Sequence, residues 1–156
     1  MLFESRKSPR LPNYDYSQKG KYFITFCTRG REPLLSKIDN GKVILSDYGN
    51  IIENVYSDLP NHNRINILEY CIMPDHMHCI IEIKNTGDAD MRKIINQLKA
   101  FSVRYINDFR KEREMMQFPS GYLWQKSFYD HIIRNDCEYY QIVKYINENP
   151  LKYNKR

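Results

Sequence analysis

Two apolar runs, Ile65-Asn66-Ile67-Leu68-Glu69-Tyr70-Cys71-Ile72 and His76-Met77-His78-Cys79-Ile80-Ile81-Glu82-Ile83, are separated only by Met73-Pro74-Asp75. Both runs are rich in isoleucine, and so short a link, with a proline in it, predicts two antiparallel strands joined by a tight turn. Successive side chains of a strand point to opposite faces. His76 and His78 therefore project the same way, while Met77, Cys79, Ile81 and Ile83 line the other face. One face is core, and the other offers a pair of imidazoles at the mouth of a strand.

The remaining elements follow from periodicity and punctuation. Lys21-Tyr22-Phe23-Ile24-Thr25-Phe26-Cys27-Thr28 reads as a first strand, and residues 29–46 as loop with a short hairpin around Gly41-Lys42-Val43-Ile44-Leu45. Ser46 or Asp47 can cap a helix running to about Asp58, with Ile51, Ile52, Val55 and Leu59 at helical spacing and Pro60 closing it. Residues 88 to about 113 place Met91, Ile94, Ile95, Leu98, Phe101, Ser102, Tyr105 and Phe109 on one side of a long amphipathic helix. After the Pro119-Ser120-Gly121 break, Leu123-Trp124-Gln125 and Phe128 to Arg134 suggest an interrupted fourth strand, and Asp136 to Pro150 a last helix. The order is strand, helix, strand, strand, helix, strand, helix. That is an α+β chain with the ferredoxin-like split β-α-β plan, an antiparallel sheet and an added C-terminal helix.

At 156 residues the chain is long enough for one domain with a sizeable core. Residues 1–20, with Pro9, Pro12 and Gly20 among polar residues, read as a basic N-terminal arm, and 21–156 as the single domain. No apolar run has the length of a signal peptide or of the roughly 18 residues a membrane span needs, so a cytoplasmic protein with no membrane partner is expected. Cys27, Cys71, Cys79 and Cys137 lie far apart with no CxxC pair, which favours buried thiols over disulfides or a zinc knuckle. The net charge of +5 attracts polyanions, and 13 tyrosines with 7 phenylalanines supply stacking surface for unpaired bases. A mildly basic solvated surface over an aromatic core accounts for the same composition.

The last helix carries the complementary chemistry. Tyr139, Ile142, Val143 and Ile146 form its apolar stripe, and Gln141, Tyr145 and Asn149 a polar row at four-residue intervals beside it. Two imidazoles, an amide oxygen and a phenol would make a metal site beside a nucleophile. Periodicity alone leaves plainer roles open. The histidines can be polar residues on a solvated sheet face, Tyr145 an amphipathic edge residue, and Asn149 the helix end before Pro150.

Three blocks in this order and spacing resemble the REP-associated tyrosine transposases: Met73-Pro74-Asp75-His76-Met77-His78 with its aliphatic strand, Leu123-Trp124-Gln125-Lys126-Ser127-Phe128-Tyr129-Asp130-His131-Ile132-Ile133-Arg134-Asn135, and Tyr145-Ile146-Asn147-Glu148-Asn149-Pro150. Leu11-Pro12-Asn13-Tyr14-Asp15-Tyr16-Ser17 and Gly20 extend the likeness to nearly the whole chain. These proteins are IS200-like single-tyrosine transposases of the wider His-hydrophobe-His endonuclease superfamily. The resemblance implies that His76 and His78 bind a metal, that Tyr145 is the nucleophile, and that Asn149 completes the metal site where insertion-sequence relatives have glutamine. It also implies a divalent ion, magnesium in the cell with manganese able to substitute, and single-stranded or hairpin DNA as substrate in the bacterial nucleoid. The insertion-sequence relatives are dimers whose tyrosine helix can serve the partner's histidines, which leaves open a homodimer and the use of Tyr145 in cis or in trans.

Arg6, Lys7 and Arg10 in the arm, and Lys126, His131 and Arg134 in the second block, are further candidates for DNA contact. Three classes of function fit these residues. One is a metal-dependent transposase that nicks and joins DNA through a 5′-phosphotyrosine. Another is a domesticated hairpin-binding protein of the same fold without cleavage activity. The third, a structural zinc protein using His76, His78, Cys71 or Cys79, is disfavoured at Cys79, which strand parity turns away from the histidines.

Overall fold

The computed structural model describes residues 11–153. Its sheet holds β1 (Gly20–Cys27), β4 (Ile65–Ile72), β5 (His76–Ile83) and β6 (Tyr129–Ile133) in the order β4-β5-β1-β6, with every neighbouring pair antiparallel. Helices α1 (Asp47–His62) and α2 (Met91–Glu112) make the two crossovers, and α3 (Asp136–Tyr153) follows the last strand. This is the split β-α-β arrangement that the element order predicts, with its additional C-terminal helix.

The short hairpin expected around Gly41 is present before α1. β2 (Ser36–Asp39) and β3 (Lys42–Leu45) form a separate hairpin. Its two turn residues, Asn40 and Gly41, both take positive φ, 49° and 74°, as a type I′ turn requires. Ser46 caps α1, accepting a hydrogen bond from the Gly49 N–H at 3.1 Å. A Cβ at Gly49 would stand 2.1 Å from the Leu35 carbonyl oxygen, so this turn of α1 can rest on the chain before β2 only with glycine there.

Two helix ends differ from expectation. Pro60 does not close α1, which runs through it to His62, and Pro150 lies inside α3, which continues to Tyr153. A proline removes one backbone bond from a last turn. Burial of Val55, Tyr56 and Leu59 on α1, and of Ile146, Asn149 and Pro150 on α3, outweighs that loss. α2 starts at Met91 rather than residue 88, because the Asp90 side chain accepts from the Arg92 N–H at 2.9 Å and caps it there. On its apolar side Ile106 is buried, whereas Tyr105 points out.

α1 and α2 cover one sheet face, where Tyr22, Ile24, Phe26, Met77, Cys79, Ile81 and Ile83 belong to the main core. Trp124 and Phe128 join that core, and the Trp124 indole N–H donates to Ser102 Oγ at 2.9 Å. Tyr16 is buried in it too, and its carbonyl accepts from the Met91 N–H, so residues 11–19 lie against the domain. The other face has a smaller core of its own. Phe23, Ile80 and Ile133 from three strands pack on Ile142 and Ile146 of α3. Burying a side chain of this size contributes about 1.5–3 kcal/mol, so this cluster seats the last helix on the face that carries the histidines.

Candidate active site

α3 changes the environment of the histidine pair. As polar residues on a solvated sheet face they would be largely exposed, yet His76 and His78 are 3% and 4% exposed because the last helix lies over them. Each ring is held through Nδ1. His76 Nδ1 is 2.6 Å from Asp75 Oδ1, and His78 Nδ1 is 2.7 Å from Thr25 Oγ1. A carboxylate only accepts, so His76 donates its Nδ1–H and the neutral ring keeps its lone pair on Nε2. Asp75 is itself fixed by Arg31, whose Nε is 2.9 Å from Oδ2, and by its carbonyl, which accepts from the Thr28 N–H.

The free ends of the rings converge. His76 Nε2 and His78 Nε2 are 3.1 Å apart, and the Asn149 amide nitrogen, Nδ2, meets His78 Nε2 at 3.1 Å. Asn149 is 1% exposed, and its Oδ1 has no hydrogen-bond partner among the described residues. A buried acceptor in that state costs about 1–3 kcal/mol. An octahedral ion with ligands at about 2.1 Å sets adjacent ligand atoms about 3 Å apart, so the two Nε2 atoms fit a shared divalent cation, and a flip of the Asn149 amide, which exchanges Oδ1 with the Nδ2 now facing His78, would add an oxygen ligand beside them. Second-shell acceptors such as Asp75 and Thr25 are the usual means of aiming imidazoles at an ion. Among the described residues no three His, Cys, Asp or Glu side chains gather closely enough to hold a metal. Cys71 sits opposite His78 on the neighbouring strand, whereas Cys79 is buried in the core of the other sheet face, away from both histidines.

Tyr145 lies one turn before Asn149 on α3 and is half-buried. Its ring meets His78 edge-on at 5.3 Å between centroids and Phe23 at 6.2 Å. The phenol and the imidazoles therefore belong to one site on one chain.

The other sequence candidates are dispersed. Lys126 is exposed in the segment before β6. His131 Nε2 is 2.5 Å from Glu138 Oε1, a pair that ties β6 to α3. Arg134 is exposed at the opposite end of the sheet from His76, and its backbone N–H donates to Glu138 Oε2 at 2.7 Å. Burial raises the Glu138 pKa, but the hydrogen bonds from Arg134 and His131 together with their charges bring it below the ordinary value. Arg6, Lys7 and Arg10 lie outside the described residues. Sequence reasoning missed Thr25, Arg31 and Asp75. Asp75 was detectable as the carboxylate next to His76, whereas Thr25 reaches His78 only through the β1–β5 register, which pairs these two residues.

No helix among the described residues is long and apolar enough to cross a membrane. Residues 16–149 match the model of the family described as Transposase IS200 like. An uncharacterized protein of Haemophilus influenzae is 32% identical over 94% of this chain and 88% of its own length. The REP-associated tyrosine transposase of Escherichia coli K12 is 26% identical, over 88% of this chain and 70% of its own. A solved structure of the REP-associated tyrosine transposase bound to a REP hairpin superposes with a TM-score of 0.67 at 23% identity, covering 97% of this chain and 74% of that one. The similarity to that structure establishes the fold.

Proposed function

From the premise that this chain belongs to the family of IS200-like transposases, we propose that it nicks and rejoins single-stranded, hairpin-containing DNA through a covalent bond to Tyr145. The observation that carries the reading is the convergence of His76, His78, the buried Asn149 amide and the half-buried Tyr145 ring at one place on one chain. The Tyr145 oxygen forms a bond to phosphorus while the bond from phosphorus to the 3′-oxygen breaks. The phenol's proton leaves to solvent and the 3′-oxygen takes one up. A phosphodiester is exchanged for a 5′-phosphotyrosine, so its bond energy is conserved and the free 3′-hydroxyl can reverse the step without ATP.

His76, His78 and Asn149 would hold the divalent ion, magnesium in the cell or manganese in its place, and when bound it polarises and orients the phosphoryl oxygen. Asp75 and Thr25 keep both imidazoles turned inward, and Phe23 supports the Tyr145 and His78 rings. These three ligands are neutral, so the charge that stabilises the transferring phosphate is not cancelled beforehand. The packing of α3 on its own sheet supports use of Tyr145 in cis, with no residue borrowed from a second copy. Hairpin DNA is the substrate class favoured, because a structural relative was solved with a REP hairpin. The place of action is the bacterial nucleoid.

The test is incubation with an end-labelled hairpin bearing a single-stranded flank, in magnesium, in manganese and in chelator. A covalent protein–DNA band that needs metal and disappears in Tyr145→Phe is expected. Binding without any band would favour the non-cleaving hairpin binder. Attachment mapped to Tyr139 or Tyr140 would overturn the assignment of the nucleophile.

A further inference from the structure

At the end of the sheet remote from the histidines lies an open cleft of 410 Å³. Its rim gathers Lys19 from just before β1, Lys21 from its start, Lys84 from just beyond β5, and Arg134 between β6 and α3. The antiparallel register brings them together, since Gly20 pairs with Ile83 on one side and Lys21 with Ile133 on the other. Two carboxylates, Glu82 and Asp136, share the rim without cancelling it. Glu82 is occupied with the Asn66 amide at 2.8 Å. Among the described residues, no carboxylate forms a salt bridge with Lys19 or Lys84, while the charge of Arg134 acts on Glu138. The Lys21 ammonium lies 4.7 Å from the Tyr139 ring centroid, and the next residue, Tyr140, is 68% exposed. Cations around a groove beside an exposed aromatic ring are the elements from which sequence-tolerant single-strand sites are built.

α3 connects this cleft to the candidate active site. From Asp136 to Tyr145 is nine residues, about 13–14 Å along a helix. That spans about four nucleotides of a stacked strand at 3.4 Å each. We propose that the cleft is a second DNA contact, holding backbone phosphates of the same single strand about four nucleotides from the one attacked by Tyr145, with a base stacked on Tyr140. The inference rests on the reading of Tyr145 as a DNA nucleophile, which is what lays a strand along α3.

The test uses the full chain and a fluorescent 20-nucleotide oligothymidylate, its binding followed by anisotropy from 50 to 200 mM salt. Each phosphate contact contributes about 0.7 to the slope of log K against log salt for single strands. Lys19→Gln/Lys84→Gln should therefore lower the slope by about 1.4 and weaken binding at low salt, with unchanged melting temperature. Arg104→Gln/Lys111→Gln removes the same charge from exposed positions on α2, on the opposite sheet face, and should leave the slope as in the parent. Equal slopes for the cleft variant and the parent, or an equal fall in the α2 variant, would overturn the cleft alone. Failure of the parent to bind the oligonucleotide at all would likewise overturn the cleft, whereas the strand-processing reading falls only if the labelled hairpin gives no covalent band.

Discussion

Asn149→Leu separates a ligand from a structural amide, because the two roles predict opposite signs for stability. Asn149 is 1% exposed, with an unmade Oδ1 and one contact from its amide to His78 Nε2 at 3.1 Å. The unmade acceptor costs about 1–3 kcal/mol and the single hydrogen bond returns about 1 kcal/mol. Leucine has the same number of side-chain heavy atoms and no polar group. In chelator the variant should accordingly be more stable than the parent by about 0–2 kcal/mol, which raises Tm by up to roughly 8 °C at about 2–4 °C per kcal/mol. Metal reverses the order. At a hundred times Kd a bound ion stabilises the parent by about 2.7 kcal/mol, whereas the variant lacks one of three donors and gains less. Thermal melts over a manganese titration from a chelated start should give two curves that cross. A variant melting several degrees below the parent in chelator would show that the amide holds α3 in place. Equal gains with manganese would remove Asn149 from the metal site.

His76→Ala with His78→Ala should abolish metal-dependent cleavage and also lower stability, because both rings are buried and Asp75 Oδ1 loses its partner while Oδ2 keeps Arg31, at a cost of about 1–3 kcal/mol; an unchanged melting temperature would contradict the burial by α3. Asp75→Asn should weaken metal binding about 10–100-fold, the usual effect of losing an outer-shell acceptor, while cleavage recovers at saturating manganese; an unshifted metal midpoint would show that Asp75 does not aim His76. At Asp90 the hydrogen bond from the Arg92 side chain leads, against the opposing effect of partial burial, in holding the carboxyl below its ordinary 3.8. A lowered folded pKa means stability that is complete above the unfolded value and lost as pH falls through the folded one. Asp90→Asn, which can still cap α2, should therefore lose less stability than the parent below about pH 4, as read by melts across a pH series; parallel curves would refute the shift.

Several features were legible because they are local. The Ile65–Ile72 and His76–Ile83 runs with three residues between them are a hairpin by length alone, and alternation puts His76 and His78 together whatever surrounds them. The four-residue step from Tyr145 to Asn149 likewise sets both on adjoining turns of one helix. What periodicity could not supply is the burial of that pair of histidines. Phe23, Ile80 and Ile133 come from three separate strands, and only their meeting beneath Ile142 and Ile146 decides which sheet face α3 covers. Packing on the two faces of the sheet also carries α1 through Pro60 and α3 through Pro150, where backbone rules alone end them. Thr25 joins His78, and Lys19 and Lys84 join Arg134, through strand register, a relation between residues fifty or more apart in sequence. Hydrogen-bond periodicity acts over a few residues and is written in the chain, whereas the choice of face and register is set by apolar area buried between distant segments. The two histidines are therefore readable in the sequence, and the enclosed site they form with Asn149 and Tyr145 exists only once the last helix docks.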